Sequence, residues 1–251
     1  MSNIVYSFIV TSIAGLSTLL GSFIIFLAKN KSNKLIIYSL SFATGVMITV
    51  SLTDLIPSSF NLLKNIFYIF PSIIICMIFI VTGIIFSMFI DKLIPNNNYQ
   101  NNKLYRVGIF SMIAIIMHNI PEGIATFITT NNNIKLGISL SIAIALHNIP
   151  EGISIAMPIY YASNSRLKAI FYTFISGISE IFGAVIAYLF LSPFINDFIM
   201  GSLYAIIAGI MFYISIYELI PSAKKINGNK INILFIIIGC VFMLINHYIF
   251  S

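Results

Sequence analysis

The sequence predicts an all-α integral membrane protein, with eight transmembrane helices in a 3+2+3 inverted-repeat bundle. Hydrophobic residues make up 59% of the 251 residues, and charged residues make up only 8%. A soluble domain of this size carries about 25% charged residues. The apolar runs are continuous and long enough to cross a hydrocarbon core of roughly 30 Å as helices. Two pairs of repeated phrases indicate the inverted repeat.

Eight apolar runs, joined by short connections rich in Asn, Lys and Ser, predict a single transmembrane domain over residues 1–251. Helix 1 lacks the basic flank of a signal peptide and is too long for its apolar region, so we expect it to be retained. Helix 3 leads into the longest connection, an Asn-rich loop at 91–103. The predicted spans are 4–28, 35–60, 66–90, 105–129, 134–161, 168–191, 198–220 and 231–250.

Helices 2 and 7 are predicted to end in matching phrases. Helix 2 closes on Ser-Leu-Thr-Asp-Leu-Ile-Pro-Ser at 51–58, and helix 7 closes on Ser-Ile-Tyr-Glu-Leu-Ile-Pro-Ser at 215–222. Because successive helices alternate in direction, these two phrases are expected on opposite sides of the membrane. Helices 1–3 should therefore be mirrored by helices 6–8, with helices 4 and 5 as a central pair.

The basic residues predict the orientation of the chain in the cell membrane. Eleven of the 13 Lys and Arg residues lie in odd-numbered loops, and the even loops hold only Lys64 and Lys135. Positive residues are retained on the cytoplasmic side, so we expect both termini outside. The net charge of +6 therefore reports topology, and no nucleic-acid partner is expected.

Helices 4 and 5 each contain the phrase His-Asn-Ile-Pro-Glu-Gly, at 118–123 and 147–152. In a helix the His, Asn and Glu of each copy share one face. Both copies lie near the middle of their spans, where a polar side chain is costly and is usually functional. The proline in each copy removes a backbone donor, so we expect each helix to kink there and to expose carbonyl oxygens.

These side chains predict a binuclear metal site. Imidazole combined with carboxylate suits Zn²⁺, Fe²⁺, Mn²⁺ and Co²⁺, whereas Ca²⁺ and Mg²⁺ prefer oxygen alone. Helix 6 is expected to supply a further carboxylate from Glu180, since its small neighbours allow close packing. The first metal position would use His118, His147, Glu122 and Glu151. The second would use Asn119, Asn148, Glu180 and the same two glutamates as bridges.

Two further acidic residues lie at helix ends. Asp54 at the outer end and Glu218 at the inner end are candidate stations on a metal pathway, or else carboxylates that face water. His247 stands alone near the outer end of helix 8, and we assign it no role.

The residues alone leave other interpretations open. The twin motifs could be packing kinks held by buried His–Glu hydrogen bonds, or a structural metal could serve a channel or a receptor. An intramembrane metalloenzyme that acts as a hydrolase is the main alternative, but it usually requires His-Glu-x-x-His, which is absent. No nucleotide-binding motif or prosthetic-group motif is present in the sequence.

The doubled His-Asn-x-Pro-Glu-Gly, the Ser-Gly-x-x-Glu of helix 6 and the Asp/Glu-Leu-x-Pro phrases resemble the ZIP (Zrt-, Irt-like) divalent metal transporters, particularly their bacterial zinc-uptake branch. This resemblance covers all eight helices. It implies uptake of Zn²⁺ and related metals into the cytoplasm through a binuclear site on helices 4–6, not enzymatic activity. It also implies dimerisation, elevator-like alternating access, and a position for Met47 beside the first metal.

The sequence departs from the family pattern at three positions. Ser58 and Ser222 stand where the family often has Glu after the Leu-Ile-Pro phrases, and Ile181 stands where Pro often follows the glutamate of helix 6. The departures weaken any claim about additional carboxylates at the helix ends, and they leave the central ligands unchanged.

Overall fold

The structure is a computed structural model that describes residues 3–26, 33–93, 102–191, 196–226 and 232–250. These residues form eight long helices and no strand. In chain order the helices are α1 (Asn3–Phe26), α2 (Asn33–Lys64), α3 (Ile69–Leu93), α4 (Asn102–Asn132), α5 (Ile134–Ser163), α6 (Arg166–Phe190), α7 (Asp197–Ile226) and α8 (Ile233–Phe250).

The helices have the polarity expected of a membrane-spanning bundle. The first seven are long and apolar enough to cross a bilayer, and α8 is apolar but slightly shorter. Large apolar side chains cover the outside, as on α3, where Phe70 and Phe89 are 74% and 59% exposed. Polar side chains are concentrated in the interior, where helices can satisfy them. The predicted all-α membrane fold is confirmed.

Helices α2 and α7 continue beyond the two matching phrases, so the prediction that they end there is wrong. Each phrase forms a π-helical segment, Ser51–Leu55 in α2 and Ile214–Leu219 in α7, and an α-helical segment follows. The proline of each phrase is the second residue of that following segment. Proline is tolerated at the start of a helical segment, because the backbone N–H there has no partner within that segment. The wider π-helical turn before each proline therefore allows the helix to continue past it.

The helices pack as an inverted repeat. Helix α1 lies along α5 as α6 lies along α4, and α3 lies along α7 as α8 lies along α2. Helices α1 and α6 also contact each other near the axis that relates the halves. Two groups result: α1, α4, α5 and α6 pack closely together, and α2, α3, α7 and α8 form the other group.

A third repeated phrase, which the sequence analysis missed, lies at the contact between α1 and α6. Gly-Leu-Ser-Thr-Leu-Leu-Gly at 15–21 corresponds to Gly-Ile-Ser-Glu-Ile-Phe-Gly at 177–183. A Cβ on Gly15 or Gly177 would overlap the carbonyl oxygen of the other glycine, so the two backbones are in direct contact. The repeat pairs Thr18 with Glu180.

Gly209 illustrates how tightly the mirrored helices cross. A Cβ there would overlap the backbone carbonyl of Ile80 on α3, which cannot move without displacing the helix. We expect Gly209→Ala to destabilise the protein by about 1–3 kcal/mol through overpacking. Gly201→Ala is the matched control, because its Cβ would lie 3.0 Å from Leu63 Cγ and 3.1 Å from the carbonyl oxygen of Ser59, a much milder approach than at Gly209. Thermal unfolding in detergent measures both variants, and equal losses would contradict this packing.

Candidate metal centre

The seven side chains of the predicted binuclear site lie together in the interior of the bundle. Helices α4 and α5 bring the two motif faces against each other, and α6 adds its carboxylate from the side. The exposed fraction of each of these residues is 5% or less. They are His118, Asn119, Glu122, His147, Asn148, Glu151 and Glu180.

The two imidazoles and the two motif glutamates form a compact cluster. The Nε2 atom of His118 lies 3.3 Å from a carboxylate oxygen of both Glu122 and Glu151, and the Nε2 atom of His147 lies 3.1 Å from Glu122 Oε1. One ligand atom each from His118, His147 and Glu151 lie within 4.8 Å of one another. Metal–ligand distances near 2 Å place tetrahedral ligand atoms about 3–3.5 Å apart, so small side-chain shifts suffice to enclose an ion.

The side-chain amides of the two asparagines are anchored to neighbouring helices. Asn119 donates from Nδ2 to the carbonyl oxygen of Ser176 (3.0 Å), and Asn148 donates to that of Ala14 (2.9 Å). With each amide donor engaged on a neighbouring helix, both Oδ1 atoms are buried without a hydrogen-bond partner. These acceptors are costly in an apolar interior unless a cation meets them.

Some carboxylate oxygens of the cluster are also buried without a hydrogen-bond donor. Glu151 Oε2 and Glu180 Oε1 are buried without a hydrogen-bond partner, and Glu151 Oε1 lies 3.3 Å from His118 Nε2. Glu180 Oε2 accepts a hydrogen bond from Asn148 at 2.8 Å. Three buried carboxylates, two amide oxygens and two imidazoles therefore belong to one buried group. This donor set fits a borderline divalent metal.

The inverted repeat is not exact at the metal cluster, where one pair of corresponding residues differs in chemistry. Asn119 and Asn148 make mirrored contacts, and Ser176 and Ala14 occupy mirrored places on α6 and α1. The partner of Glu180 under this symmetry is Thr18, which has no carboxylate. The additional carboxylate therefore comes from one side only.

A cavity of about 510 Å³ leads to this cluster from one end of the bundle. Glu122 and His147 line its deep end, and Asp54 and His247 line its mouth. Its walls come from α2, α4, α5, α7 and α8, so it runs between the two helix groups.

The other three residues considered for the pathway lie outside the cluster. Asp54 is at the mouth of the cavity, and Met47 is fully buried in the apolar core and does not line the cavity. Glu218 is buried at the opposite end of the bundle. At that end, Arg106 pairs with Asp91 at 2.7 Å.

One expectation about this region is wrong. His247 is not alone, because its Nδ1 atom lies 2.6 Å from Asp54 Oδ1. The inverted topology contained the signal for this contact, since it brings the end of α8 to the same side as the phrase of α2. Helices α4 and α5 run without interruption through Pro121 and Pro150, so neither motif proline ends its helix.

Comparison with known proteins matches this chain to zinc transporters. The profile of the family described as "ZIP Zinc transporter" matches residues 96–247. The chain is 39% identical to "Zinc transporter ZupT" of Oceanobacillus iheyensis, with 98% of each chain covered. It is 37% identical to the protein of that name from Streptococcus mutans, with 97% of each chain covered. For the Clostridium perfringens protein the identity is 36%, over 100% of this chain and 98% of the other.

Proposed function

Because this chain belongs to the ZIP zinc transporter family, we propose that it carries Zn²⁺ and related divalent transition metals into the cytoplasm. The observation that carries this proposal is the buried His/Asn/Glu cluster at the deep end of a cavity that opens at one end of the bundle. A transporter needs a site that can be reached from one side at a time, and a hydrolase with a fixed metal does not.

We assign two adjacent metal positions to the cluster. The first uses both histidines with Glu122 and Glu151, and the second uses both asparagines with Glu180 and the same glutamates as bridges. The unsatisfied buried oxygens support this assignment. Imidazole favours Zn²⁺, Fe²⁺, Mn²⁺ and Co²⁺ over Ca²⁺ and Mg²⁺, and Zn²⁺ is the main substrate proposed.

Alternating access requires the ligand-bearing helices to move relative to the others. All seven proposed ligands lie on α4, α5 and α6, which form a packed group with α1. The cavity follows the boundary between this group and α2, α3, α7 and α8. An elevator-like shift of the first group along the second would close this cavity and open a path at the end that holds Glu218. Exit on that side requires the Asp91–Arg106 pair to separate or to move aside.

The remaining assignments belong to the same proposal. Residues 1–251 act as one transporter domain in the cell membrane, with both termini outside and the cavity facing outward. Asp54 meets the metal first, Glu218 meets it last, and Met47 lies beside the first metal position. The family resemblance supports a homodimer.

Cysteine accessibility tests this orientation. Thr129 lines the cavity, and Ser163 is half-buried at the opposite end of the bundle. In a background with Cys76 and Cys240 replaced, we expect Thr129→Cys to react with a membrane-impermeant thiol reagent in intact cells. Ser163→Cys, the matched control, should react only after the membrane is permeabilised. The reverse pattern would contradict the proposed orientation.

Flux measurements test the function itself. Purified protein in proteoliposomes is given external Zn²⁺ without nucleotide, and a trapped zinc-sensitive dye reports the interior concentration. We expect saturable zinc accumulation above that of empty liposomes. Tight zinc binding without any flux would overturn the transporter assignment and favour a structural metal or an enzyme.

A further inference from the structure

The mouth of the cavity holds a pair of side chains that the central cluster does not include. His247 on α8 donates from Nδ1 to Asp54 Oδ1 on α2 at 2.6 Å. Both side chains are about one-third exposed, at 36% and 35%. They line the same cavity as Glu122 and His147, so an ion at the mouth has an open route to the centre.

The Asp54 side chain of this pair has a further polar neighbour, and the two helices that carry the pair are packed together. The Thr53 hydroxyl oxygen lies 2.9 Å from the carbonyl oxygen of Thr49 and 3.0 Å from Asp54 Oδ2, and Thr53 also lines the cavity. The helices that carry the pair, α2 and α8, lie along each other. Both belong to the group without central ligands, so the pair stays in place when the ligand-bearing group shifts.

Asn246 adds an independent sign of a ligand. Its side chain lines the cavity and is 3% exposed. Its Nδ2 donates to the carbonyl oxygen of Ala143 at 3.2 Å, which leaves Oδ1 buried without a hydrogen-bond partner. The side-chain oxygens of Asn119 and Asn148 in the central cluster also lack a donor, and Asn246 lines the same cavity as the His247–Asp54 pair.

We propose that Asp54, Asn246 and His247 form a separate capture site for a divalent transition metal at the mouth of the cavity. This inference rests on the transport function proposed above. Imidazole nitrogen, carboxylate oxygen and amide oxygen repeat the donor types of the central cluster, so the site selects the same class of metal. A metal ion replaces the direct His247–Asp54 hydrogen bond, and water completes its coordination. Because the site is partly exposed and has few protein ligands, it holds the metal more weakly than the centre does.

The opposite end of the bundle differs in the way this proposal requires. Under the inverted repeat, Glu218 corresponds to Asp54. Asp91 corresponds to His247, because each follows by eight residues a glycine, Gly83 or Gly239, that makes the mirrored close contact with α7 or α2. Arg106 donates to Asp91 Oδ1 at 2.7 Å, and Tyr213 donates to Asp91 Oδ2 at 3.3 Å. The positive charge of the Arg106 guanidinium opposes cation binding there. Of the two mirrored places, only the cavity mouth therefore forms a capture site.

Uptake kinetics separate capture from transport. We expect His247→Ala to raise the KM for Zn²⁺ by about 10-fold, as loss of a weak ligand would, while the maximal rate stays within about two-fold. His247→Asp should recover part of the loss, because it restores a metal ligand. Tyr248→Phe is the matched control, since Tyr248 is 88% exposed on the outer surface of α8.

Two results would overturn the capture site in a protein that transports zinc. One is an unchanged KM in His247→Ala. The other is a purely structural role, in which His247→Ala lowers the unfolding temperature, His247→Gln restores it, and neither variant changes the KM. His247→Gln also replaces His247→Ala in the kinetic test if the alanine variant does not fold.

Direct binding keeps this inference distinct from the proposed function. In a Glu122→Gln/Glu151→Gln double variant, equilibrium dialysis with Zn²⁺ should find one weak class of site, and His247→Ala should abolish it. The absence of that class, or its survival in His247→Ala, would refute the capture site. If the wild type fails to transport zinc, the proposed function fails, and the dialysis still decides whether the mouth binds metal.

Discussion

Glu151→Gln is expected to lower zinc uptake by about 100-fold, the upper range for the loss of an interaction that supports a bound metal. Glu151 is 1% exposed, its Oε1 lies 3.3 Å from His118 Nε2, and its Oε2 is buried without a hydrogen-bond partner. Glutamine keeps the shape of the side chain and removes the charge that both metal positions share. Initial rates in proteoliposomes measure the effect, with reconstituted protein quantified in each preparation.

The control for this variant is a buried polar substitution far from the cluster. Ser72 on α3 is fully buried, and its hydroxyl donates to the carbonyl oxygen of Tyr68. We expect Ser72→Ala to transport at the wild-type rate. Uptake by Glu151→Gln at the rate of Ser72→Ala would show that the metal does not pass through the cluster.

Removal of the Glu180 carboxylate should halve the number of metal ions bound. Glu180 contacts Asn148 and is proposed to serve only the second position, whereas the histidines serve only the first. We expect Glu180→Thr to bind one Zn²⁺ per chain where the wild type binds two. Equilibrium dialysis of the purified proteins, with metal counted by elemental analysis, gives both numbers.

The inverted repeat provides a rescue for this variant. Thr18 occupies the place on α1 that Glu180 occupies on α6, so Thr18→Glu combined with Glu180→Thr moves the carboxylate to the mirrored side. We expect the double variant to regain the second Zn²⁺. Ser179→Ala is the control, because Ser179 is adjacent to Glu180 and donates to Ser176 within its own helix. Two ions bound by Glu180→Thr alone would refute the assignment of the second position.

The membrane fold was predictable because lipid places strict demands on the chain. Twenty or so apolar residues in succession have few alternatives to a spanning helix. A polar side chain within such a span must find a partner inside the bundle. The seven cluster residues were therefore expected to face one another, and the structure places them within one buried group. Their roles as metal ligands remain a proposal.

The course of α2 and α7 was not predictable from the same rules. Pro57 and Pro221 are helix-ending signals in a sequence, because proline cannot donate to the preceding turn. The structure accommodates each of them with a π-helical turn, which depends on packing against neighbouring helices. The helices therefore extend further than the phrase alone indicated.

The contact between His247 and Asp54 was missed for a different reason. The two residues are far apart in sequence, and only Asp54 belongs to a repeated phrase, so nothing in the sequence indicated that His247 was its partner. Their proximity follows from the packing of α8 along α2, which the inverted repeat implied only once its mirror contact between α3 and α7 was known. The match between residues 15–21 and 177–183 was overlooked because the first copy has Thr18 where the second has Glu180, the acidic residue that draws attention to the phrase.

Anomalous diffraction at the zinc absorption edge, from crystals grown with Zn²⁺, tests the central claim most directly. The account predicts one peak about 2.0–2.2 Å from the ligand atoms of His118, His147, Glu122 and Glu151. It predicts a second peak beside Asn119, Asn148 and Glu180. A protein that transports zinc in proteoliposomes, yet shows no anomalous density within this cluster, would contradict the account.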